Sequence, residues 1–96
     1  MEFIEAKAAE QFYLAILSLK TQAECKAFFE DICTIKELQD LTQRLQVAQM
    51  LSEGLNYQTI SKNKSVSSAT ISRVNRCLNY GKGGYKTVLE RTGKNG

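Results

Sequence analysis

The chain has no proline, no histidine and no tryptophan, and its only glycine before Gly81 is Gly54. With helix breakers so scarce in the first half, long helices are the natural expectation there. The missing histidine removes the commonest metal ligand and the commonest general base. The three cysteines, Cys25, Cys33 and Cys77, are odd in number and form no CxxC pair. Neither a disulfide framework nor a zinc knuckle is indicated, and the thiols read as small packing groups or surface bystanders. No glycine-rich phosphate loop opens a helix, because Gly81-Lys82-Gly83-Gly84 follows a helical segment and not a strand. These absences speak against an enzyme, a metal site or a resident cofactor. No apolar run approaches the roughly 18 residues that cross a bilayer, and no signal-peptide pattern is visible. The expectation is a cytoplasmic protein with no membrane partner.

What is present is an uneven distribution of charge. The net charge of +3 over 96 residues conceals a basic C-terminal part. Residues 1–33 carry six acids against Lys7, Lys20 and Lys26, and residues 34–55 carry three acids against Lys36 and Arg44. Residues 56–96 carry eight basic side chains against Glu90 alone. Such a basic half points to a polyanion partner, with a merely solvated basic face as the alternative.

Periodicity and capping signals give an all-α fold of about six helices in one domain. Ile4, Ala8, Phe12, Ile16 and Leu19 stack on one face of a helix over 2–19. Tyr13, Leu14 and Leu17 widen that face beyond what a solvated helix of a monomer shows. In so short a chain, a second copy is the natural cover. Thr21 with Glu24, and Thr34 with Glu37, have capping-box spacing. The first box opens a helix expected to bury Cys25, Phe28, Phe29 and Ile32. The second opens one with the stripe Leu38, Leu41, Leu45, Ala48 and Leu51, ended by Gly54 as a left-handed cap with Leu55 folding back. The resulting layout is 1–33 for dimerisation, 34–55 for a central helix, 56–80 for two short helices and a turn, and 81–96 for a last short helix and tail.

The segment from Asn56 to Asn79 carries the functional signal. A support helix capped by Asn56, a turn at Lys64–Ser67 and a second helix capped by Ser67 or Ser68 make a helix-turn-helix. Ile60, Val66, Ile71 and Val74 are spaced to share one small core, with Val66 as the plug between the helices. Ala69 and Leu78 are also available for burial. Outward near the start of the second helix stand Ser67, Ser68, Ala69, Thr70, Ser72 and Arg73. Short side chains let a helix enter a groove about 12 Å wide, where hydroxyls, methyls and a guanidinium can meet base edges. Lys62, Lys64, Asn75, Arg76 and Lys82 are placed for phosphates, which set register and salt-dependent affinity.

Three stretches carry a family resemblance: the T-x-x-E-L-x-x-L-x-x-R pattern from Thr34 to Arg44, AQMLSEGLNYQTIS from Ala48 to Ser61, and SSATISRVNRCL from Ser67 to Leu78. The chain resembles the Trp repressor superfamily, and in particular its YerC/YecD-type members. The resemblance implies a dimer whose N-terminal helices interlock, with two reading helices on a pseudo-palindromic operator. It places Thr59, Lys62, Ser68, Ala69, Thr70 and Ser72 at DNA-facing positions. It also places Thr34, Arg44, Thr70 and Arg73 where the family holds its amino-acid corepressor. Val74 stands where that pocket has a glycine, and Cys77 where it has a serine. An isopropyl group in the indole slot excludes tryptophan. Arg44 and Arg73 remain available to another carboxylate or to phosphates, and Thr34 is fully explained as a helix cap. Ser61, Lys64 and Ser65 depart from the residues common in helix-turn-helix turns, and the turn is one residue shorter than in the Trp repressor.

The resulting expectation is a homodimeric transcriptional regulator of the repressor type, bound to double-stranded DNA, with no cofactor unless an unidentified small corepressor. An origin-binding or architectural DNA-binding protein is one alternative. A protein-interaction module with a basic face is another.

Overall fold

A computed structural model describes residues 5–64 and 66–93, without the side chain of Lys64. Six α-helices follow in order: α1 (Ala6–Leu17), α2 (Gln22–Ile32), α3 (Ile35–Ser52), α4 (Tyr57–Lys64), α5 (Ser68–Tyr80) and α6 (Gly84–Thr92). No strand occurs among the described residues, and no described helix is long and apolar enough to cross a membrane.

Four of these helices begin on a short polar side chain that accepts from an otherwise unpaired backbone N–H, a device worth about 1 kcal/mol each. Thr21 Oγ1 accepts from Glu24 N–H at 3.0 Å, while Glu24 turns back to Lys20 N–H at 2.8 Å, one residue before the cap. Thr34 and Glu37 exchange both bonds, at 3.0 and 2.8 Å. Asn56 Oδ1 accepts from Thr59 N–H at 2.9 Å, and Ser67 Oγ from Thr70 N–H at 3.2 Å. At the far end of α3, Gly54 has φ +91° and donates to Leu51 O at 3.0 Å. Leu55 N–H then reaches Met50 O at 3.1 Å, and the Leu55 side chain packs on the core. This is the Schellman ending that the sequence indicated.

The chain divides into two compact units, Met1–Leu38 and Gln39–Gly96, with the division inside α3. The first unit is held by rings. Tyr13, Phe12, Phe28 and Phe29 follow one another with centroid separations of 6.2, 6.3 and 5.3 Å. No residue of α1 or α2 is buried, and Leu14, Leu17 and Ile32 are 61, 77 and 51 % exposed. Burial of Cys25 and Ile32 was expected, and both are exposed. Two short helices cannot enclose side chains on all sides by themselves. α1 is also shorter than the periodicity suggests, since Leu19 lies beyond its end and Ile4 outside the described residues.

The second unit holds the buried core: Val47 and Ala48 of α3, Ile60 of α4, Val66, and Ile71 and Val74 of α5. Met50, Leu51, Leu55, Tyr85 and Leu89 pack around it. α5 lies against both α4 and α6. Val47 is fully buried although the apolar stripe of α3 does not contain it, whereas Leu41 and Leu45 on that stripe are 42 and 40 % exposed. Ala69 is exposed, so of the four residues of α5 available for burial only Ile71, Val74 and Leu78 are used.

Candidate nucleic-acid interface

The two faces of α5 differ completely in chemistry. At 3.6 residues per turn, Ile71, Val74 and Leu78 share one face, and all three are buried. Ser68, Ala69, Ser72, Arg73 and Arg76 fall on the other side, and all five are exposed; Thr70 at the flank is half-buried. The outer face therefore has hydroxyls, a methyl and two guanidiniums, with no carboxylate anywhere in α4 or α5. Val66 joins the core, as its place between the two short helices suggested. Ser61 Oγ donates to Val66 O at 3.0 Å. That bond ties the support helix to the plug residue and gives a reason for a serine at this position. Ser65 and the side chain of Lys64 lie outside the described residues.

Both helices contribute to one concavity. Thr59 and Lys62 of α4 and Ser68 of α5 line a shallow hollow of about 530 Å³, together with Tyr57, Gln58 and Ser61. Three residues assigned to DNA contact from the sequence are thus brought together. Tyr57 and Gln58 at this hollow were missed, although their place in the first turn of the support helix was the available signal. On another flank of α5, a larger hollow of about 660 Å³ lies toward α6 and the end of α3 and carries Glu53 and Glu90. Its carboxylates suit a polyanion poorly, so it stands apart from the hydroxyl-rich outer face of α5.

The residues of the possible ligand pocket are distributed unevenly. Thr34 belongs to the first unit, where its hydroxyl caps α3. In the second unit, Arg44, Arg73 and Cys77 all lie close enough to act electrostatically on the Tyr85 phenol. Burial raises the pKa of Tyr85 above the usual 10.0, negative charge at Cys77 would raise it further, and the positive Arg44 and Arg73 oppose both. Val74 faces the core, with 2 % exposure. The sequence indicates only a last short helix within 81–96 and does not single out Tyr85. Its place among these groups depends on packing between α3, α5 and α6, which no local pattern displays. No group of acids and cysteines suited to a metal ion occurs among the described residues.

Comparison with known proteins agrees with this architecture. The family model for Trp repressor protein matches residues 7–93. The uncharacterized protein YerC of Bacillus subtilis (strain 168) is 51 % identical over 88 residues, covering 92 % of this chain and 85 % of that protein. The crystal structure of a TrpR-like protein from Eubacterium eligens ATCC 27750 has 52 % identity and superposes with a TM-score of 0.88, over 94 % of this chain and 93 % of that one. A second crystal structure, of a Staphylococcus aureus protein provisionally assigned as a Trp repressor, has 45 % identity and a TM-score of 0.86 over 91 % of this chain and 87 % of that one.

Proposed function

The chain belongs to the Trp repressor family, a family of DNA-binding regulators and not of enzymes, and on that premise we propose that it is a sequence-specific transcriptional repressor of the cytoplasm. The first turns of α5 enter the major groove of a pseudo-palindromic operator. Ser68, Ala69, Thr70, Ser72 and Arg73 meet base edges, Ser67 and Thr59 border them, and Lys62, Lys64 and Arg76 neutralise phosphates. One observation carries this reading: α5 has a small, hydroxyl-rich and basic outer face fixed from behind by three buried aliphatic side chains.

The working form is a homodimer. Its support is the exposed apolar surface of the first unit, where Leu14, Leu17 and Ile35 are 61, 77 and 78 % exposed. A second copy covers such helices and places two reading helices one DNA turn apart, about 34–36 Å. Tryptophan is not the corepressor in this reading, because Val74 stands where the family's pocket has a glycine, and an isopropyl group there would take the room of an indole. Arg44 and Arg73, both near Tyr85, are the cations available to any other small carboxylate.

Selection of bound duplexes from a random pool, at two salt concentrations, tests the reading. A recurring pseudo-palindrome should emerge, and the log of affinity should fall by about 0.9 per phosphate contact for each unit in log salt. A pool that never converges would refute sequence-specific binding. Sites found away from promoters, with transcription unaltered, would favour an origin-binding or architectural role. Light scattering at micromolar concentration should report twice the chain mass, and a monomer would remove the dimer from the account.

A further inference from the structure

We propose that Tyr80 is a further DNA-contact residue, whose phenol donates a hydrogen bond to a backbone phosphate at the rim of the groove. The inference rests on the proposed function and extends its footprint by one turn of α5. Tyr80 is the last residue of that helix and is 86 % exposed, more than any other large apolar side chain described. A single exposed tyrosine is ordinary on a protein surface. What distinguishes this one is its register. Positions 69, 73, 76 and 80 follow at spacings of four, three and four, which places Tyr80 in one stripe with Ala69, Arg73 and Arg76. That stripe lies opposite Ile71, Val74 and Leu78 and is exposed along its length. Among the described residues the phenol has no hydrogen-bond partner.

The level of the ring along α5 decides what it can touch. Tyr80 is twelve residues from Ser68, a rise of about 18 Å at roughly 1.5 Å per residue. Side chains of a helix slant toward its N-terminus, so the ring covers a point about one turn earlier, roughly 12–13 Å above the entering end. The major groove is about 8.5 Å deep, so that point lies clear of the base edges, about 4 Å beyond the rim, where a backbone phosphate and not a base is the group nearest to the phenol. Tyrosine suits such a place, with an apolar ring for the sugar and a donor for the oxygen anion. The chain beyond it leaves the ring uncovered. Gly81 follows, and a Cβ there would fall 2.3 Å from the Cys77 carbonyl oxygen, so no side chain can stand beside the ring at that position.

The test uses the full chain and a duplex taken from the selection, titrated by fluorescence anisotropy at several salt concentrations. Tyr80→Phe should bind about tenfold more weakly on every sequence, because one hydrogen bond to an anion is lost. The salt slope should stay at its wild-type value, because the phenol carries no charge, and the melting temperature should not move. Ser68→Glu is measured beside it. Unchanged affinity in Tyr80→Phe, with binding abolished in Ser68→Glu, overturns the proposal and leaves the reading helix intact. A loss that varies with base sequence, or one with a flattened salt slope, also overturns a neutral phosphate contact. Normal binding by Ser68→Glu would instead remove the reading on which the proposal stands.

Discussion

Two neighbouring residues of α5 give a direct test of its two faces. Ile71 is fully buried and Ser72, the next residue, is exposed. Ile71→Ala removes three carbons from the core, about 2.4 kcal/mol at roughly 0.8 kcal/mol per methylene. Incomplete collapse of the resulting cavity adds to this, so the expected loss is about 3–4 kcal/mol, within the range for such truncations. A domain of this size holds about 5–15 kcal/mol in all. At about 4–8 °C per kcal/mol, the melting temperature should fall by roughly 12–30 °C. Ser72→Ala should stay within about 0.5 kcal/mol of wild type, as exposed substitutions do, yet weaken DNA binding severalfold by removing a hydroxyl. Thermal melts followed by circular dichroism report the first effect, at one fixed protein concentration because the proposed dimer would melt by mass action. Anisotropy titrations report the second. Should Ile71→Ala melt within about 1 kcal/mol of wild type while Ser72→Ala unfolds, the assignment of faces would be reversed.

Other parts of the account give separate expectations. Arg76→Ala should weaken binding on all duplexes alike and reduce the salt slope by about one unit; an unchanged slope in the same titration removes Arg76 from the phosphate contacts. Gly81→Ala forces a Cβ to within 2.3 Å of the Cys77 carbonyl oxygen, so urea melts should show a loss of about 1–3 kcal/mol, and a neutral result would mean that the turn into α6 yields freely. Tyr85 has a pKa raised in the folded chain, first by burial. Its contribution to stability is complete below the unfolded value near 10 and is lost as pH rises through the folded value. Tyr85→Phe should therefore lose less stability than wild type between neutral pH and the region above 10, measured as the difference between two denaturation series; parallel curves would refute the shift.

What the sequence disclosed follows from how local each signal is. Thr21, Thr34 and Asn56 were legible as caps, and Ser67 as one of two candidates with Ser68, because a cap needs only a side-chain oxygen and an N–H two or three residues on. Gly54 was legible for a similar reason, since a left-handed ending wants a residue without Cβ. The two faces of α5 were legible too, because a buried face repeating at Ile71, Val74 and Leu78 leaves its complement outside. Side chains set by distant partners were not. Val47 is buried while Leu41 and Leu45 stay largely exposed, and periodicity reports only which residues share a face, not where neighbours lie. Phe28 and Phe29 lie half-buried, and Cys25 and Ile32 are exposed, because α2 has few neighbours within its own unit. Tyr85 acquires its surroundings from Arg44, Arg73 and Cys77, separated from it by up to forty-one positions.

The most direct measurement is the affinity of Ser68→Glu for a selected duplex. Ser68 is exposed at the first position of α5, where a carboxylate is tolerated by the helix dipole, so the circular dichroism spectrum and melting curve should match wild type. Binding should be abolished, since the new charge would face the phosphates and base acceptors of the groove. Wild-type affinity in this folded variant would contradict the claim that α5 enters DNA by its first turn.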